Sequence, residues 1–342
     1  MKDVACKKKR PPTTLEKSGA TSPPASMIIL NYNGAALLGE LLDKNLESVL
    51  DMTYSNFEVL FVDNGSTDGS VQHIRNKFGG DIRLKIVELK CNYGYAGGNN
   101  LGARYCSKDT KYLIFLNTDT IVRKDLLTKV IEVMETDREI GSLCPWARPL
   151  DGSCNSVWSI EKGLLDVPFS GGWCLVIRKQ LFEALNGFDE KFFICGEDID
   201  LGWRVWLAGY RNVLLKGRLL RHKGGGSVNW DSPEVFYLQC RNKIFTIFKN
   251  SEPRDLLRFI PVHISISIAG GLYRALTRIK GGEYLRIVFL AIIDGLKGSK
   301  ENRKKRIAPV SRLYYEFARQ SANLRISNLV KAFLSILHEN SS

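Results

Sequence analysis

The sequence predicts an α/β architecture: a mixed, largely parallel sheet with helices on both faces, followed by a basic amphipathic helical region. Three observations predict it. Short apolar runs of strand length alternate with helix-period segments through the first half of the chain, and polar turn residues recur just past the carboxyl end of each run. Beyond Cys240 the apolar stretches take helical period and are flanked by Lys and Arg. With 342 residues and 44% hydrophobic content, the chain can bury one large core and carry an appendage.

Residues 1–25 combine Lys7, Lys8, Lys9 and Arg10 with Pro-rich polar stretches, and lack the apolar core of a signal peptide. An unstructured basic leader is expected there. Residues 27–31 read as a buried strand running into the turn Asn31-Tyr32-Asn33-Gly34, and Leu37, Leu41, Leu42, Leu46, Val49 and Leu50 then fall at helical spacing. A second strand, 57–62, stops at Asp63-Asn64-Gly65-Ser66-Thr67-Asp68-Gly69, whose turn chemistry also caps a helix. The third, 84–89, leads through Asn92-Tyr93-Gly94-Tyr95-Ala96-Gly97-Gly98-Asn99-Asn100 into a helix, and the fourth, 112–116, ends at Asn117-Thr118-Asp119. In open α/β sheets ligands bind beyond the carboxyl ends of the strands, so Tyr32, Asp63, the 92–100 segment and Asp119 are expected to line one crevice.

The second half is less regular. Residues 145–168 read as a long loop, suited to a lid or a ligand-binding segment, and 170–177 as a strand opened by Gly171 and Gly172, where close backbone approach needs glycine. Trp173 reads equally as a face for stacking a ligand or as core. Next, Glu197, Asp198 and Asp200 crowd the mouth of a helix marked by Leu201, Val205 and Ala208, with Gly209 as its stop; Trp203 and Trp206 are expected in the core. Like charges this close repel, so the cluster calls for a cation, a proton or the positive end of a helix, the plain alternative being an acidic cap. A strand pair at 213–215 and 219–220 leads into Arg221-His222-Lys223. The runs 259–272 and 287–293 are each shorter than the about 20 residues that a membrane-spanning helix needs. They are expected either to lie on an anionic bilayer surface or to pack as a bundle on the first domain.

The net charge of +13 is unevenly spread: residues 1–26 sum to +4, 27–240 to −3 and 241–342 to +12. An acidic core without a basic groove excludes a nucleic-acid binder. Eight cysteines stand singly, with no C-x-x-C pair, as expected of reduced thiols in a cytoplasmic protein.

The segments from Asn31 to Gly34, Val62 to Gly69, Asn92 to Asn100, Leu116 to Asp119 and Gly196 to Leu201 resemble, in order and spacing, the family 2 inverting glycosyltransferases of the GT-A fold, and their rhamnosyltransferase-like members in particular. The resemblance covers roughly residues 26–250. It implies a Rossmann-like GT-A sheet over 26–250, while the basic amphipathic pattern itself marks 251–342 as a helical, membrane-associating region. It also implies transfer of a sugar from a nucleoside-diphosphate-sugar to a hydroxyl of a lipid-linked or glycan acceptor. Tyr32 would flank the base and Asp63 accept from its ring N–H, with Asn33, Asn92, Asn100, Asn117, Thr118 and Gly172 completing the donor site. Asp119 holds the last position of the family's D-x-D-type metal motif; the chain departs from it with Asn117 at the first position and Thr118 between. A single carboxylate binds a divalent ion weakly, so the diphosphate and His222 are expected to complete the shell of Mg2+ or Mn2+, although a phosphate-contacting surface role suits His222 as well. Asp198 would be the general base, Glu197 would contact the acceptor, and Asp200 would cap the helix. The preference for Asp198 over Glu197 rests on the resemblance alone.

Other functions fit less well. A dinucleotide-dependent oxidoreductase would carry G-x-G-x-x-G after the first strand, where Asn31-Tyr32-Asn33-Gly34 stands, and a nucleotidyltransferase would carry a Gly-rich basic loop. An inactive membrane adaptor on the same fold would be expected to have lost Asp119 or Asp198. The expected protein is a cytoplasmic glycosyltransferase on the inner face of the cell membrane.

Overall fold

Met27, Ile28 and Ile29 are fully buried in succession, which marks a strand covered on both faces rather than one. In the computed structural model, which describes residues 22–151, 163–226, 228–277 and 282–306, this strand is β1 (Ala25–Asn31). It lies between β2 (Phe57–Asp63) and β4 (Tyr112–Asn117), and β3 (Leu84–Glu88) extends the sheet beyond β2, all four parallel. The register sets Asn31 beside Asp63 and Leu30 beside Asn117, so the polar strand ends lie along one edge. Five further strands complete a mixed sheet: β5 (Thr120–Val122), β6 (Ile140–Pro149), β7 (Gly163–Asp166), β8 (Cys174–Arg178) and β9 (Arg211–His222). The order is β3-β2-β1-β4-β8-β6-β9-β5, with β7 also paired to β9 and β8 antiparallel to β4 and β6.

Strand side chains alternate between faces, and the two core layers follow that alternation. Met27 and Ile29 join Phe61, Ile114 and the helices α2 (Glu40–Leu50), α3 (Ser70–Phe78) and α5 (Leu126–Thr136). Ile28 joins Leu60, Val62, Phe115 and the helices α4 (Gly94–Ala103), α6 (Lys179–Ala184) and α7 (Glu197–Leu207) on the other face. Leu42, Leu46 and Val49 seat α2 with no exposed surface, each contributing about 1.5–3 kcal/mol of burial.

Four expectations change. The single helix through Leu37 to Leu50 is two, because Gly39 at φ 54° breaks α1 (Gly34–Leu38) from α2. The 145–168 segment is not all loop: its first residues belong to β6 and residues 163–166 form β7, while 152–162 lie outside the described residues. The strand pair at 213–220 is one strand, β9, which bulges where Pro145 faces Leu215 and Ala147 faces Leu220. The apolar run 259–272 is the middle of a 25-residue helix, α9 (Pro253–Thr277), which is long and apolar enough by length and composition to cross a membrane. With α8 (Pro233–Asn250) and α10 (Gly282–Lys304), α9 builds a third core around Phe236, Ile244, Tyr284 and Val288. The six cysteines among the described residues are all free.

Candidate active site

The carboxyl ends of β1 and β4, the start of β8, the end of β9 and the N-terminus of α7 converge on a cleft of about 720 Å3. Of the residues expected at the site, Tyr32, Asn92, Asn117, Thr118, Asp119, Gly172, Glu197, Asp198 and His222 line it. Tyr32 is half-exposed at the rim. Asn92 accepts from Asn64 and from the Gly94 N–H, which orders the turn into α4.

Asp119 sits just past β4 and is almost wholly buried. One carboxylate oxygen lies 3.0 Å from His222 Nε2 and the other accepts the Gly226 N–H at 3.1 Å. Burial pushes its pKa up, but the His222 hydrogen bond and charge, with the Gly226 N–H, outweigh burial and hold it below the usual carboxylate value. The pairing of Thr120 with His222 between β5 and β9 brings the imidazole to this carboxylate. Asp119 and His222, with Oδ1 and Nε2 3.0 Å apart, are the residues of the cleft that would hold a divalent cation such as Mg2+ or Mn2+. Among the described residues no cluster of three His, Cys, Asp or Glu side chains offers a richer metal site.

Glu197 and Asp198 open α7, where the positive helix end favours anions. Their surroundings differ. Asp198 accepts the Gly172 N–H at 3.1 Å and the Ile199 N–H at 2.8 Å, whereas Glu197 is buried with Oε2 lacking any hydrogen-bond partner. Burial raises the pKa of both. Glu197 is raised well above the usual range, with the Asp198 charge adding to burial, while the backbone N–H groups restrain the rise at Asp198. The two backbone N–H groups therefore favour the ionised form at Asp198 more than at Glu197. Gly172 is fixed from its other side, its carbonyl accepting from the Tyr95 hydroxyl at 2.8 Å.

Three expected donor residues point elsewhere. Asn100 lies on α4 and is spent on the backbone of Phe188 and on Glu190, away from the cleft. Asp63 is buried beneath the turn, taking the Asn31 amide and the Ser66 N–H, and Asn33 accepts the Thr67 N–H in the same turn. Asp200 is no cap: fully buried, it pairs with Arg204 and with Lys249 of α8. Trp206 is core, as expected, while Trp173 lines the cleft with its indole N–H on the Pro145 carbonyl. The cleft also takes Asn64, Tyr95, Phe193, Trp230 and Gln239. Asn64 and Tyr95 stood inside recognised segments, but nothing in the sequence marked the others.

Residues 26–187 match the family model for glycosyl transferase family 2. They form a family 2 glycosyltransferase domain. Over 245 residues the chain is 29% identical to the O-antigen biosynthesis protein RfbC of Myxococcus xanthus, covering 63% of this chain and 18% of RfbC. An N-acetylglucosaminyl-diphospho-decaprenol L-rhamnosyltransferase of Mycobacterium tuberculosis is 24% identical over 226 residues, which are 54% of this chain and 73% of that protein. An uncharacterized glycosyltransferase of Rickettsia felis is 33% identical over 239 residues, 66% of this chain and 37% of that one. The chain thus spans well under half of both the Myxococcus and the Rickettsia proteins. Among solved structures, the Staphylococcus aureus TarS fragment in complex with UDP-GlcNAc superposes with a TM-score of 0.60 at 17% identity, covering 87% of this chain and 92% of that one. A Pyrobaculum calidifontis mannosyltransferase in complex with GDP-Man and Mn2+ superposes with a TM-score of 0.53 at 17% identity, covering 82% and 88%. The domain has the GT-A fold.

Proposed function

We propose that this chain is an inverting glycosyltransferase that moves a sugar from a nucleoside-diphosphate-sugar to a hydroxyl of a lipid-linked or glycan acceptor. The observation that carries the reading is that Asp119, at the end of β4, and Asp198, at the start of α7, open into one cleft from opposite halves of the domain. In an inverting displacement the acceptor oxygen attacks the anomeric carbon as the bond to the diphosphate breaks, and the hydroxyl proton passes to a base. Asp198 takes that proton on the carboxylate oriented by Gly172 and Ile199. Glu197, held neutral by burial, donates to the acceptor or to a neighbouring oxygen. Tyr32 and Asn92 border the nucleotide, and the glycine backbone at 172 lets the donor sugar approach closely. Asp119 and His222 would hold Mg2+ or Mn2+, which when bound neutralises charge gathering on the departing diphosphate.

The relative that acts on a decaprenol-linked substrate supports a lipid-linked acceptor. The outer faces of α9 and α10 support peripheral association with an anionic leaflet: Leu257, Leu276, Phe289 and Ile293 are exposed beside Arg254, Arg258, Arg286 and Lys297.

A screen of UDP-, GDP- and dTDP-sugars for nucleoside diphosphate release identifies the donor. On that donor, Asp198→Asn is expected to bind nucleotide as the wild type does and to lose about 10²-fold or more in kcat. Retained turnover would remove Asp198 from the chemistry. EDTA is expected to abolish turnover, with Mn2+ or Mg2+ restoring it in the wild type and failing to do so in Asp119→Ala.

A further inference from the structure

The segment that delivers Glu197 and Asp198 into the cleft is wound unusually. Phe193, Cys195 and Gly196 have φ of 62°, 72° and 92°, a left-handed region that side chains avoid and that a bulky Phe adopts only when its surroundings hold it there. Much of the holding comes from one side chain. Asn242, on α8 and 1% exposed, directs Nδ2 at the carbonyls of Phe192, Ile194 and Cys195, at 2.9, 2.9 and 2.7 Å. The amide orientation is set by Arg241, whose Nε and Nη2 donate to Asn242 Oδ1 at 3.0 and 2.8 Å, so the face turned to the three carbonyls is the donor. From the opposite side the Ala96 N–H donates to the Phe193 carbonyl at 3.1 Å. A Cβ at Gly94 would meet that same oxygen at 2.4 Å, which leaves no room there for another residue. The turn is clamped between α4 of the family 2 domain and α8, which lies beyond the span matched by the family model.

We propose that Asn242 is a positioning residue for glycosyl transfer: its amide gathers three carbonyls and so fixes the turn that aims Glu197 and Asp198 at the acceptor side of the cleft. The inference rests on the reading of Asp198 as the base. Chemistry then depends on α8, whereas nucleotide binding at the ends of β1 and β4 does not. No other side chain of this size does the same work. Aspartate is nearly isosteric and keeps the Arg241 contact, yet it would turn an acceptor oxygen toward three carbonyl oxygens.

Asn242→Asp and Asn242→Ala are compared with Thr246→Val, which removes a buried hydroxyl that donates to the Asn242 backbone carbonyl at 3.1 Å and so leaves the Asn242 amide and the turn unaltered. Amide hydrogen exchange on the full chain is expected to quicken about tenfold or more across residues 193–200 in both Asn242 variants and to stay at wild-type rates in the strands β1 to β4. UDP, GDP and dTDP affinities are expected to stay within about twofold while kcat on the screened donor falls about 30-fold or more, the scale of a displaced catalytic group. Thr246→Val keeps kcat within about threefold of the wild type. Unchanged exchange at 193–200, or unchanged kcat in both Asn242 variants, overturns the proposal. Faster exchange spread over β1 to β4 assigns Asn242 a purely structural part and overturns it too. Turnover surviving in Asp198→Asn, with exchange at 193–200 still quickened, would leave the clamp standing and fell the base assignment instead.

Discussion

Two adjacent carboxylates at the start of α7 acquire different characters from a few backbone contacts. Both have pKa values raised by burial, so folding favours their protonated forms: the stability they contribute is present below the ordinary carboxylate range and is lost as pH rises through the raised values. Glu197→Gln removes that burden. It is expected to raise Tm at neutral pH by about 2–4 °C per kcal/mol gained, with the gain shrinking toward pH 4, where glutamate is itself protonated; calorimetry at several pH values checks this. Turnover, by contrast, needs Asp198 ionised, so the acid limb of the rate profile is expected above the ordinary aspartate value. Asp119 and Asp198 were legible in the sequence because each follows a boundary that sequence marks well, a strand end and a helix start. Asn100 was misplaced because a helix turns successive residues of one motif to different faces, and Asp63 because a polar residue past a strand can serve its own turn. Asn242 was invisible, since an amide that binds distant carbonyls leaves no spacing to read.

At the scale of elements, α7 is held by charge as much as by its apolar face. Asp200 takes Arg204 one turn along and Lys249 from α8, and Lys249 also reaches Asp189. Burial works against ionised Asp200, but the Arg204 and Lys249 charges outweigh it and lower its pKa. Asp189, with burial likewise opposed by Lys249 and then Lys305, is held at about 2. The sign is therefore opposite to that of Glu197: this stabilisation is present above the ordinary carboxylate value and is lost as pH falls through the lowered ones. Asp200→Asn takes the carboxylate from buried Arg204 and leaves Lys249 with Asp189 alone, and is expected to cost about 3–5 kcal/mol by denaturant unfolding at pH 7, the penalty narrowing in acid. The helix itself was plain from Leu201, Val205, Ala208 and Gly209. β9 was not, because the stretch between Leu215 and Leu219, with Gly217 at φ 145°, interrupts the apolar alternation while the backbone runs on as a strand. β6 and β7 were lost in a segment whose Pro and Gly content reads as turns.

Across the whole molecule, charge divides between residues 27–240, which sum to −3, and residues 241–342, which sum to +12 and include the exposed outer faces of α9 and α10. The full chain is expected to co-sediment with vesicles containing anionic lipid and to be released by raised salt, as screening shortens the reach of surface charge. The pair Leu257→Glu and Leu276→Glu is expected to abolish co-sedimentation and to leave nucleotide affinity intact. The length of α9 was underestimated because Arg258 and Arg274 bracket the apolar run, whereas helix formation ignores those brackets. One detail of the sheet reaches further. His222 meets Asp119 where three residues of β5 lie in one alignment against β9, and in a strand a slip of a single position turns every side chain to the reverse face. So brief a seam is among the first to fray on warming. A divalent cation held by Asp119 and His222 is therefore expected to be lost on warming before either hydrophobic layer melts, an order that cation affinity and calorimetry followed together over temperature would check.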